Sequence, residues 1–193
     1  MVSKTREKFI EVARQLFARK GVENTTMNDI ASASSKGRRT IYTYFKSKTE
    51  IFNAVIETET DKILSRLKVI LAKPISPEEK IKEYVSERFE AMKEIVGRNG
   101  SLRAGFFRDV RKVERAQKMI SAKETALLNE ILEEGVSEGI FKIDDTKKEA
   151  IIIIHTFQGL VVAFIRNSLA EKGISQEMIK EMTANLILQG IKG

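Results

Sequence analysis

Proline, the residue that ends a helix most reliably, occurs only at Pro74 and Pro77 in this chain of 193 residues. A sandwich or barrel needs frequent turns, and with only 11 glycines the chain has little to build them from. The expected class is therefore all-α, with long helices. Hydrophobic residues make up 42% and charged residues 32%, as in an ordinary soluble globule. The length suits one large domain or two small ones sharing a core. The absence of cysteine excludes disulfides and thiolate metal sites and fits the cytoplasm. The start, M-V-S-K-T-R-E-K, puts charges where a signal peptide needs an apolar stretch. The longest apolar run, residues 150–165, contains His155, Thr156 and Gln158, so a buried helix is expected rather than a membrane span.

Apolar periodicity predicts about nine helices. Phe9, Val12, Ala13, Leu16 and Phe17 make one stripe over 3–20, stopped at Gly21. Thr26, with Asp29 three residues on, caps a short second helix carrying Met27, Ile30 and Ala31. A third helix over 38–45 has Ile41, Tyr44 and Phe45 on one side. Ser47 and Glu50 form a capping box opening a fourth, to about residue 71. Ser76, Pro77 and Glu79 start a fifth, to about residue 96. Residues 102–139 are expected to form one or two helices, broken near 117–121. A strongly apolar helix over about 146–170 and a last one capped by Ser175 complete the chain.

Charge is unevenly distributed. Residues 1–50 hold 11 Lys and Arg against 5 Asp and Glu, whereas residues 51–193 hold 23 against 22. A local basic field of this kind points to a polyanion. Within it, residues 36–48 read K-G-R-R-T-I-Y-T-Y-F-K-S-K, with five basic residues, three aromatics and no acid. Two short helices joined by a tight glycine-containing turn form the helix-turn-helix plan. A helix entering the major groove needs long donors outward and apolar residues inward. Arg38, Arg39 and Thr43 supply the first, and Ile41, Tyr44 and Phe45 the second.

Three pieces in register, L-F-x-x-K-G, T-T-x-x-D-I-A and Y-x-Y-F-x-S-K, lie within residues 5–55. Together they make this segment resemble the DNA-binding domain of the TetR family. The resemblance implies a DNA-binding domain over 1–47, a connecting helix over 48–71 and a helical ligand-binding and dimerisation domain over 72–193. The turn departs from the family pattern: Ser35 stands at the usual glycine, Lys36 at the apolar turn residue, Gly37 at the serine cap and Arg39 at a frequent glycine. The family's roles imply phosphate contacts from Thr26, Tyr42 and Lys48. Arg38, Arg39, Thr40 and Thr43 are then left as candidates for base edges, with Lys36 beside them in the basic segment.

The resemblance further implies a homodimer through the last two helices, about 146–192, bound to a palindromic double-stranded operator. It also implies a repressor released by an unidentified small-molecule effector. Phe89, Met92, Phe106, Phe107, His155, Phe157 and Gln158 are the candidate effector contacts. Phe and Met at helical spacing are more often plain core, and His155 reads first as a hydrogen-bonded core residue. No cofactor is implied. No nucleotide-binding glycine motif, cysteine nucleophile or H-E-x-x-H is present, which argues against an enzyme. An effector-independent architectural DNA-binding protein remains the alternative.

Overall fold

Hydroxyls and carboxylates placed just ahead of apolar stripes determine where the helices begin. The Thr26 hydroxyl accepts from the Asp29 N–H (3.1 Å) and the Asp29 carboxylate accepts from the Thr26 N–H (2.9 Å). Ser76 and Glu79 repeat the arrangement ahead of Pro77, at 3.3 and 3.0 Å. Asp145 and Ser175 cap the last two helices by accepting from Lys148 and Met178 backbone N–H groups. Each satisfies donors that a helix start leaves open.

The computed structural model describes residues 2–98 and 110–192. Among these, eight α-helices form: α1 (Val2–Lys20), α2 (Met27–Ala33), α3 (Arg38–Tyr44), α4 (Lys48–Leu71), α5 (Pro77–Arg98), α6 (Val110–Ser137), α7 (Thr146–Arg166) and α8 (Gln176–Ile191), with a 3₁₀ turn at Ala170–Lys172. An isolated bridge pairs Phe141 with Lys192. The break expected near 117–121 does not occur, because that stretch contains neither glycine nor proline and α6 runs through it.

The chain divides into two compact units, and the division falls inside α4, between Asp61 and Lys62. In the first, Phe9, Phe17, Ile30, Ile41, Phe45, Ile51 and Phe52 are buried in one cluster. Phe17 meets Phe52 edge-on at 6.0 Å. The first half of α4 is thus part of this core.

The second unit is built on residues 62–94 and 119 onward. Tyr84, Phe89, Leu128, Ile131, Phe157 and Phe164 are buried in it. The buried Arg88 and Glu124 pair beside Tyr84, whose hydroxyl donates to Glu124 at 3.3 Å. Burial, then the Glu124 charge, pushes the Tyr84 phenol well up. Lys80–Glu134 (2.6 Å) and Lys180–Glu90 (2.7 Å) tie α5 to α6 and to α8.

Candidate nucleic-acid interface

The turn between α2 and α3 is closed by backbone bonds, with the buried Ser34 hydroxyl donating to the Ile30 carbonyl at 2.7 Å. The Lys36 N–H reaches the Ala31 carbonyl and the Ser35 N–H the Ser32 carbonyl, both at 3.0 Å. This is the Schellman pattern, with Ser35 in the left-handed position at φ 55°. A glycine would adopt that conformation without strain, which explains the family's preference there. Lys36 occupies the position whose side chain usually covers the helix end, and it is exposed. Gly37 caps α3 with no side-chain bond.

From that turn α3 directs Ile41 inward, fully buried, with Phe45 behind it. The Arg6 guanidinium lies over the Phe45 ring at 5.2 Å, a contact across 39 residues that no sequence spacing signals. Tyr44 is half-buried and lies 5.8 Å from Phe9, ring to ring. Arg38, Arg39, Tyr42 and Thr43 are exposed, and Thr40 is half-buried. Arg38 stacks over Tyr42, with 5.8 Å from guanidinium carbon to ring centre. The Thr43 hydroxyl donates to the Arg39 carbonyl at 3.2 Å. No acid lies between Asp29 and Glu50 in sequence, so the outward side of α3 carries only positive charge.

Two predicted phosphate contacts already have bonds within the protein. Thr26 holds the α2 cap. The Lys48 ammonium donates to the carbonyls of Val22 (2.7 Å) and Glu23 (3.2 Å), which fastens the α1–α2 loop to the start of α4. At that start the Ser47 hydroxyl accepts from the Glu50 N–H, but the Glu50 carboxylate takes the Lys46 N–H (2.6 Å), one residue earlier than a capping box requires.

A basic, acid-free helix held outward on a three-helix core has the form suited to a major groove. Residues 9–55 match the family described as bacterial regulatory proteins, tetR family. This first quarter of the chain is similar to the TetR family. Over 50 residues it is 50% identical to the probable acrEF/envCD operon repressor of Escherichia coli, a match covering 26% of this chain and 23% of that one. The chain thus spans about a quarter of that relative's length. A longer match, 27% identity over 144 residues, covers 72% of this chain and 68% of the transcriptional repressor KstR2 of Mycolicibacterium smegmatis. A crystal structure of a transcriptional regulator from Cytophaga hutchinsonii superposes with a TM-score of 0.73, covering 97% of this chain and 98% of that one at 25% identity.

In the second unit, the described candidates for effector contact differ in burial. Phe89 and Phe157 are buried and meet edge-on at 5.6 Å, and Phe164 lies 4.8 Å from Phe89. Met92 is half-buried. His155 is exposed, its Nδ1 at 2.8 Å from the Ile151 carbonyl, so the reading of it as core is corrected. The phase of α7 is the reason: 150, 153, 154, 157, 161 and 164 face inward, and 151, 152, 155, 156 and 159 face out. Phe106, Phe107 and the Gln158 side chain lie outside the described residues. A surface groove of about 380 Å³ between α4 and α5 is lined by Arg66, Val69, Ile70, Lys73, Glu83, Ser86 and Glu87. There Arg66 pairs with Glu87 and with Glu94 (2.6 Å).

Proposed function

We propose that this protein is a cytoplasmic transcriptional repressor that binds a palindromic operator as a homodimer and is released by a small-molecule effector. The observation that carries the reading is an unpaired apolar stripe on α7 and α8. Ile152 is 63% exposed, Met182 57% and Leu186 66%, with Ile151 and Met178 beside them. Side chains of this size exposed together on two helices mark an interaction surface. By length and composition alone, α7 at 21 residues is apolar enough to cross a membrane. A second copy of the chain, not lipid, is the cover proposed for it.

A twofold pair places two α3 helices for successive major grooves, about 34–36 Å apart or a multiple of that. Residues 1–47 then serve as the reading domain, the helix over 48–71 as the link and residues 72–193 as the effector and dimer domain. Thr26, Tyr42 and Lys48 are assigned to phosphates. The effector acts by favouring a dimer geometry that no longer fits the operator spacing, with α4, which runs unbroken between the two units, as the lever.

Selection of bound duplexes from a random pool, together with sedimentation, tests the reading. The expected result is a palindromic site and a dimer that becomes monomeric in an Ile152→Asp, Leu186→Asp variant. A monomer at micromolar concentration, or selected sites without twofold symmetry, removes it. The close Phe89–Phe157–Phe164 cluster favours a second reading, an architectural DNA-binding protein without an effector. That reading expects weak sequence preference in the same selection.

A further inference from the structure

We propose that Arg39 selects a guanine in each operator half-site, while Arg38 and Tyr42 act together as a stacked pair on the phosphate backbone. The proposal rests on the DNA-binding reading above and divides the labour among the exposed residues of α3.

Helix geometry makes the division. At about 100° per residue, Arg39 and Thr43 lie roughly 160° on either side of the inward Ile41, along the crest of α3. Both are exposed, as that placement requires. Arg38 lies roughly 60° from Ile41 and Tyr42 roughly 100°, on one flank. Thr40 is on the opposite flank and half-buried. A crest faces the groove floor, and flanks face the groove walls, which are phosphate.

Chemistry makes the same division. The Arg38 guanidinium lies over the Tyr42 ring, which holds it on the flank and leaves its N–H groups for a phosphate oxygen. The Thr43 hydroxyl is occupied by the Arg39 carbonyl. The Thr43 oxygen can still accept, but donor capacity along the crest belongs to the Arg39 guanidinium, which forms no hydrogen bond or ion pair among the described residues. Two parallel N–H groups match guanine O6 and N7, whereas adenine opposes one of them with its own amino group. Arginine on the crest thus prescribes guanine.

The test uses the full chain and the duplex obtained by selection from a random pool. Each guanine in a half-site is replaced by adenine, with its pairing partner changed to match, and binding is measured for the unaltered protein, Arg39→Ala, Arg39→Gln and Arg38→Ala. One guanine is expected to carry a preference of about 5- to 150-fold, lost in Arg39→Ala and moved toward adenine in Arg39→Gln. Arg38→Ala is expected to weaken all duplexes alike and to lower the slope of log affinity against log salt by about one. Survival of the guanine preference in Arg39→Ala overturns the assignment, as does its loss in Arg38→Ala. Failure of the unaltered protein to bind any duplex overturns the DNA-binding reading as well, a separate and recognisable result.

Discussion

The Phe141 ring covers Gly135 so closely that a Cβ added there would stand 2.0 Å from a ring carbon. Phe141 has little room to withdraw. Its N–H bonds to the Gly135 carbonyl at 3.0 Å, and the adjoining Lys142 N–H reaches the Ile191 carbonyl at 2.8 Å. Gly135→Ala is expected to destabilise the protein by about 1–2 kcal/mol, the overpacking cost exceeding the roughly 1 kcal/mol that alanine gains in a helix. Urea denaturation measures it. A raised midpoint would mean that the ring swings aside freely.

At Ser35 the opposite effect is expected. The residue is held at φ 55° by the backbone bonds of the turn, at a cost that glycine does not incur. Ser35→Gly should stabilise the first unit by about 0.5–1 kcal/mol, after allowing for the greater freedom of glycine in the unfolded chain. Hydrogen exchange of the α2 and α3 amides reads this locally; slower exchange is the expected outcome and faster exchange contradicts it.

Lys48 has three donors, and two are bonded to loop carbonyls. Lys48→Met is expected to destabilise the protein by about 1 kcal/mol, read as a lower unfolding midpoint, in addition to any uniform loss of DNA affinity. A residue acting only on phosphate would change the salt dependence of binding and leave the midpoint in place. Thermal unfolding without DNA separates the two.

Three helix starts are held by carboxylates whose protonation is held low. Asp29 is stabilised by the Thr26 N–H and hydroxyl, Glu79 by the Ser76 hydroxyl and N–H, and Asp145 by Lys148. In the unfolded chain these groups titrate near 3.8 for aspartate and 4.5 for glutamate. The folded state keeps them charged to lower pH, so the unfolded state binds protons first as acid is added. Their contribution is complete above those ordinary values and is lost as pH falls through the depressed folded ones. The urea midpoint should therefore be level, as far as these groups are concerned, above about pH 5 and fall below it. The triple variant Asp29→Asn, Glu79→Gln, Asp145→Asn should show a shallower fall; an identical fall would place the acid sensitivity elsewhere.

The parts of the molecule legible in its sequence are those fixed by neighbours. Caps at Thr26, Ser76 and Ser175 depend on residues three apart, and the inward set Ile41 and Phe45 depends on a single helical period. What stayed hidden is what distance or symmetry decides. Lys48 finds its carbonyls 25 and 26 residues away. His155 lies in a run apolar on every side, and such a run gives no phase by which to tell an inward face from an outward one. Ser35 and Lys36 were visibly unusual, but only the backbone shows that the turn closes without help from either side chain.

That last property has a consequence for how such a protein changes over time. Because α3 is positioned by main-chain bonds and by residues on its inner side, its crest takes no part in holding the fold. On the proposed assignment, substitutions at Arg39 or Thr43 redirect the protein to a different DNA word without first passing through an unstable form. On that assignment, a duplicated copy of the gene changes its targets while its fold stays intact.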